Sequence, residues 1–278
     1  MRKIIDNVQR SVLWLCGGIA VAFLAVILVY VIARGIPYIN WEFLSTAYRP
    51  GLDQEGIRDI IVGTLAMVGL TLVIAVPIGV LAAIFMAEYA KKGKVLTTIR
   101  FCVESLAGIP SILYGLFGYT FFCLQLAFGF SLLSSALTLA IMVLPVIIRS
   151  TEEALFTVPD SYREGSLALG ASKLTTLFRV ILPCAIPGIL SAIILSMGRV
   201  MGETAAVYYT AGTMARAPSS VMSSTRSLAV HLYLLVKEGL ESGDAFATAT
   251  ILIVIVVGLN ALANFVAKRL SRKLTGGN

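Results

Sequence analysis

Charge is scarce in this chain. Of its 278 residues, 13% are Asp, Glu, Lys or Arg while 58% are apolar, against roughly 25% charged in an ordinary soluble domain. So little charge excludes a water-soluble globule as the natural reading and points to a bilayer. Histidine occurs once, as His231. The cysteines Cys16, Cys102, Cys123 and Cys184 are widely spaced with no C-x-x-C pairing, which argues against a disulfide framework or a zinc site and leaves them as small packing residues. No G-x-x-x-x-G-K-[ST] phosphate loop is present, so the chain is expected to bind no nucleotide itself. A nucleophile elbow, an H-E-x-x-H pair and a carboxylate cluster are also missing, so neither a catalytic residue nor a metal site is expected. No internal repeat is legible.

Long apolar runs are what the chain has in abundance. A helix needs about 20 mostly apolar residues to cross roughly 30 Å of hydrocarbon. Six runs qualify: Val12 to Ala33, Ile60 to Met86, Ser105 to Phe128, Ser131 to Ile148, one starting near Val180, and Ala245 to Ala267. The expected fold class is therefore an all-α integral membrane protein of about six transmembrane helices, forming a single domain over residues 1–278. The first run is too long for a cleavable signal and ends without a small-residue cleavage motif, so it is expected to stay in the mature protein.

Lysine and arginine distribute unevenly about these spans. One side collects Arg2, Lys3 and Arg10, then Lys91, Lys92, Lys94 and Arg100, then Arg149, Arg163, Lys173 and Arg179, and finally Lys268, Arg269, Arg272 and Lys273. On the other, Arg34, Arg49, Arg58, Arg216, Arg226 and Lys237 are diluted by Glu42, Asp53, Glu55, Asp59, Glu238, Glu241 and Asp244. The positive-inside rule then puts both termini in the cytoplasm. The net charge of +7 follows from the same rule, and nucleic-acid binding is not expected.

A polar insert at 149–179 interrupts the apolar pattern on the cytoplasmic side. Ala154, Leu155 and Val158 precede Pro159, and Leu167, Leu169, Leu174 and Leu177 follow it at helical spacings. Proline ends one short helix, and Asp160 or Ser161 is placed to cap the next. Gly170 reads either as a helix-terminating residue of positive φ or as a point of close backbone approach. Leu182-Pro183 reads as the restart of the chain into the membrane.

The spacing Glu164-x5-Gly170-x9-Val180-x-Leu182-Pro183 resembles the cytoplasmic coupling-loop motif of ABC-importer permeases, with Gly165 and Ser166 in place of two alanines and Val180 in place of isoleucine. The stretches Phe85 to Ala90, Ala107 to Gly118, Leu144 to Ala154 and Arg199 to Ala205 resemble the permease subunits of the Pst phosphate importer. Leu228-Ala229-Val230-His231-Leu232-Tyr233 looks like the PstA type. The resemblance implies a type I importer permease fold in the bacterial inner membrane and a homologous PstC-type partner. It also implies an extracytoplasmic phosphate-binding protein and a cytoplasmic ATPase dimer that holds ATP and Mg. Glu164, Gly170, Ala171, Leu182 and Pro183 would couple to that ATPase. Permeases for sulfate, molybdate or phosphonate, or an ion-coupled secondary transporter, are the alternatives.

Within the resemblance, a pathway for an anion needs fixed positive potential or hydrogen-bond donors. Arg199 sits in the apolar run from Val180 to Thr213, and a charge at such depth costs about 3 kcal/mol on insertion scales. Glu203, one helical turn on, can pair with it on one face beside Gly202. The pair either lines the route or merely neutralises itself. That run is too long for one upright span, so the depth of Arg199 is open at this level. Pro77, Pro110, Pro145 and Pro187 each free a carbonyl inside a span, which suits either packing or a wet cavity. Gly108 and Pro110 can open a half-helix whose Ser111 and Tyr114, with Thr204, join the candidate substrate pathway. His231 is read as a hydrogen-bonded surface or loop histidine rather than a proton carrier.

Overall fold

A computed structural model of the chain describes residues 2–49, 54–237 and 243–275, with side chains described over 9–49, 55–237 and 243–269. The long N-terminal helix α1 (Arg2–Gly35) leads through a tight turn at Ile36–Tyr38 to α2 (Trp41–Ser45). A small antiparallel hairpin follows, β1 (Tyr48–Arg49) against β2 (Gln54–Glu55), with Tyr48 opposite Glu55. Helix α3 (Arg58–Ile84) runs on into a π turn at Phe85–Tyr89, then come α4 (Lys94–Ala107) and α5 (Ser111–Gly118), the latter extended by a π turn at Tyr119–Gln125. Helix α6 (Leu132–Phe156) is followed by α7 (Asp160–Ala168), α8 (Lys173–Thr176), a π turn at Leu177–Ile181 and α9 (Leu182–Met201). The chain ends in α10 (Ala205–Thr210), α11 (Leu228–Lys237) and α12 (Gly243–Thr275).

Among the described residues, five helices are long and apolar enough to cross a membrane, and the pair α4 and α5 makes a sixth span bent by 99°. The six-span expectation therefore holds, while the straight third span from Ser105 to Phe128 does not. The bend has a local cause. Pro110 brings no amide to bond backward, so the chain leaves α4 through Gly108 and restarts at Ser111. The Tyr114 hydroxyl donates to the Leu106 carbonyl at 2.7 Å, supplying a partner at the break that lipid has none to offer.

Helix α6 is the axis of the bundle. Ser131 caps it by accepting from the Ser134 amide at 3.1 Å. Leu139, Met142, Val143 and Ile147 then pack between Met67, Val68 and Ala75 of α3 and Met197, Val200 and Met201 of α9. Lipid tails are as apolar as these side chains, so dispersion and close fit hold this core rather than exclusion of water. Helix α1 behaves differently. It is apolar on all sides and exposed, as a lipid-facing helix is, and it joins the bundle only near its end, where Tyr30 meets Phe246 edge-on at 5.9 Å.

Three boundaries differ from the sequence reading. The fourth span continues past Ile148 to Phe156, because its amphipathic end keeps the helical period. The fifth begins at Lys173, and Leu182-Pro183 lies inside a continuous helix from Lys173 to Met201 rather than restarting the chain. The π turn absorbs the proline: the Leu182 amide bonds to the Leu177 carbonyl one residue farther back than in an α-helix. Cys123 is buried, but Cys16, Cys102 and Cys184 lie on exposed faces, so three of the four cysteines are not the packing residues expected.

Candidate functional site

Arg199 occupies the last turn of α9, and the helix stops directly after it. The Gly202 amide bonds back to Gly198 O at 3.3 Å and the Glu203 amide to Val200 O at 3.2 Å, closing the helix before Glu203 can complete another turn. The carboxylate of Glu203 instead accepts from the Ala206 amide at 3.4 Å, capping α10. The expected Arg199–Glu203 pair is therefore not formed. Spacing of four residues places side chains on one face only while the helix continues. Among the described residues, no carboxylate lies within ion-pair distance of Arg199.

The guanidinium borders an open groove of about 600 Å³ between α6, α9 and α12, whose polar lining includes Ser191, Asn260 and Asn264. Val146, on the same groove, lies roughly 21 Å along α6 at 1.5 Å per residue, past the midpoint of a 25-residue helix. Arg199 itself is half-buried on this groove, in the last turn of α9 and close to the end of the span Lys173–Met201. Tyr114 is buried, with its hydroxyl committed to the Leu106 carbonyl, and does not line this groove. Ser111 is the first residue of α5 after the Pro110 break, and Thr204 precedes α10 and accepts at its carbonyl from the Tyr208 amide, 2.9 Å. Of the expected pathway residues only Arg199 lines this groove; Ser111 and Tyr114 stand one turn apart on α5, and Glu203 and Thr204 belong to the start of α10.

Sequence reasoning missed Asn260 and Asn264. Two carboxamides four residues apart in an otherwise apolar span were the available signal. The Asn260 Oδ1 is buried without a hydrogen-bond partner among the described residues.

The second region is the polar insert. Helix α7 begins straight after Pro159, and no side chain caps it. Asp160 is not the expected cap: its carboxylate accepts from Arg163 at 3.1 Å. Gly170 has φ +81° with nothing close to an added Cβ, so the positive-φ reading holds and the close-approach reading does not. Its amide bonds to Leu167 O at 2.9 Å and that of Ala171 to Ser166 O at 3.2 Å, the paired bonds of a Schellman terminus. Beyond it, Leu169 is 90% exposed, and Glu164, Tyr162, Leu167 and Leu174 are exposed beside it. Leu182 packs against the cluster of Leu155, Leu177 and Ile181 beneath.

Arg163 fixes this insert to the bundle. It donates to Glu88 at 2.8 Å, to Leu155 O at 3.0 Å and to Val158 O at 2.8 Å. Nearby, Lys173 lies 4.7 Å from the Tyr89 ring centre, Arg100 bonds Glu152 through Nε at 3.0 Å, and Arg149 meets Glu153 at 3.1 Å. Arg163 entered the sequence reading only as one positive charge among many.

His231 is corrected as well. It is buried in α11, with its ring edge-on to Tyr48 at 4.8 Å. The outer segment expected there folds back as a helix, its first amide, that of Leu228, bonded to Thr64 Oγ1 at 2.8 Å. The parts of that segment at residues 238–242, and Asp53 in the earlier one, lie outside the described residues.

Residues 75–276 match the family described as binding-protein-dependent transport system inner membrane component. The chain belongs to that family. It is thus a multi-pass membrane component of such a system. It is 34% identical over 290 residues to the probable ABC transporter permease protein YqgI of Bacillus subtilis, covering 99% of both chains. It is also 34% identical to the phosphate transport system permease protein PstA 1 of Mycobacterium tuberculosis, over 98% of this chain and 91% of that one. Among solved structures, a bacterial ABC transporter that imports alginate superposes with TM-score 0.66 at 17% identity, covering 96% of this chain and 99% of the other. The MetNI methionine transporter gives 0.57 at 23%, covering 79% and 94%. These likenesses establish the fold, that of a type I ABC-importer permease.

Proposed function

We propose that this chain is the PstA-type permease subunit of an ATP-driven phosphate importer. The observation that carries the reading is Arg199, a guanidinium without a carboxylate partner among the described residues, half-buried on an open groove between apolar spans. A fixed cation there is costly unless an anion uses it. The full-length similarity to phosphate permeases supports the choice of anion.

In this reading the chain is one domain that pairs with a homologous PstC-type subunit to frame the route. An extracytoplasmic binding protein delivers phosphate, and two cytoplasmic ATPase chains, which hold the ATP and Mg, seat the loop at 149–179. Both termini face the cytoplasm, a placement the lysine and arginine distribution supports. Leu169 and Leu167 are the apolar contacts offered to the ATPase, with Glu164, Gly170 and Ala171 shaping the helix end, and Leu182 and Pro183 relaying motion into α9. Closure of the ATPase dimer shifts the bundle between two packings that open to opposite sides. The ion-coupled alternative loses its best carboxylate, because Glu203 is engaged in capping α10.

The test is to co-purify the chain with its transport partners and measure ATP hydrolysis in proteoliposomes. Phosphate-loaded binding protein is expected to stimulate hydrolysis and drive phosphate uptake. Uptake driven by a proton or sodium gradient without ATP, or stimulation by sulfate or molybdate in place of phosphate, would overturn the assignment.

A further inference from the structure

The groove beside Arg199 holds more recognition chemistry than one charge. Asn260 and Asn264 are four residues apart on α12 and therefore share a face, and both line the groove that Arg199 enters from α9. Gly198 faces Asn260 across the two helices at ordinary contact range, an added Cβ standing 3.8 Å from the Asn260 amide nitrogen. Ser191 borders the same space but its hydroxyl donates to Pro187 O at 2.9 Å, so the carboxamides are the uncommitted donors.

Asn260 also brings an acceptor. Its Oδ1 is buried with no donor among the described residues, and buried polar atoms of native proteins are nearly always paired. An unfilled acceptor on a residue that lines the same groove as an uncompensated cation selects a particular class of ligand, an anion that still carries a proton. Phosphate at neutral pH is such an anion, with P–O⁻ groups for a guanidinium and carboxamide N–H, and a P–OH that needs an oxygen to receive it. Sulfate offers no proton, so it would leave the oxygen unsatisfied.

We propose that the groove between α6, α9 and α12 is an oxyanion station in which Arg199 binds the charge, Asn260 and Asn264 donate through their amides, and Asn260 Oδ1 accepts the proton that phosphate retains. This rests on the phosphate reading above and adds to it a selectivity element inside the membrane, separate from the binding protein. Transit needs binding weak enough to release, which a single guanidinium with neutral amides provides better than a cluster of cations.

The experiment uses the complete transporter in proteoliposomes with its binding protein, probed with radiolabelled inorganic phosphate. Asn260→Leu and Asn264→Leu are each expected to lower uptake at least tenfold while ATP hydrolysis stimulated by the binding protein stays within twofold of wild type. That split separates a substrate contact from a packing role, which would lower both. Asn264 is exposed to the groove, so its variant keeps the test valid should Asn260→Leu fail to assemble. Asn260→Gln, which keeps both donor and acceptor, is expected to retain more uptake than the leucine variant. Wild-type uptake by both leucine variants overturns the station while leaving the phosphate assignment standing. Failure of the unmodified transporter to move phosphate overturns the assignment and the station together.

Discussion

Arg163 of α7 holds Glu88 in the π turn that extends α3, Nη2 to Oε1 at 2.8 Å, with both side chains largely buried. The same guanidinium binds the Leu155 carbonyl near the end of α6 and the Val158 carbonyl just beyond it. One side chain thus joins α7 to two spans at once, so a push on α7 moves α3 and α6 together.

Arg163→Gln is expected to reduce phosphate uptake by about tenfold or more, an energetic loss of about 1.4 kcal/mol, because it leaves Glu88 without its cation. Binding-protein-stimulated ATP hydrolysis should persist with poor coupling to transport. Full uptake by the variant would remove this clamp from the transmission path.

Gly170 has a φ that a β-carbon disfavours, by roughly 1–2 kcal/mol. Gly170→Asn, whose side chain tolerates that conformation, is expected to keep more uptake than Gly170→Val, and Gly170→Glu is expected to abolish uptake and ATPase recovery in a pull-down while the chain still inserts. Equal behaviour of the asparagine and valine variants would show that the turn is not under conformational demand.

Arg199 and Glu203 should separate in mutagenesis. Arg199→Gln is expected to stop phosphate uptake with the complex assembled. Glu203→Gln keeps an acceptor for the Ala206 amide and removes only the charge at the start of α10, which should cost about 0.3–1 kcal/mol, read as a slightly lower melting temperature with most uptake retained. If Glu203→Gln is as severe as Arg199→Gln, the two residues act as a pair after all.

His231 lies outside the six spans, in α11. Burial, aided by the Arg226 charge, lowers its imidazole from 6.5 to about 3. Above pH 6.5 folded and unfolded chains both hold it neutral. Below that, the unfolded chain takes up a proton the folded chain refuses, so the stability it contributes is lost as pH falls from 6.5 towards 3. Thermal unfolding of the purified chain should weaken between pH 7 and pH 5 more than that of His231→Phe. Uptake should show no His231-dependent inflection across neutral pH, and one that vanishes in the variant would assign the histidine a proton-coupled role.

The spans were legible because length and apolar content alone decide what can cross hydrocarbon. The Gly170 turn was legible because a helix period, a glycine and a following polar stretch are local signals. The Arg199–Glu203 pairing misled because it assumed a helix through Gly202. Whether that turn forms depends on Glu203 capping α10 and on α10 seating against α5, where Gly115 admits Ala206 so closely that an added Cβ would stand 2.9 Å from its Cα. The buried His231 was misread for a similar reason. Its helix is held by Thr64 from a span more than 160 residues away in sequence.

The sequence by itself determined that this chain lives in a bilayer, how many times it crosses, and which end carries the polar loop, since these follow from composition and local periodicity. Only the tertiary structure decided that Arg199 stands without a carboxylate partner among the described residues beside two carboxamides of α12, and that Arg163 fastens the loop to α3. Both depend on side chains far apart in the chain meeting across packed helices, and no local signal encodes which faces will meet.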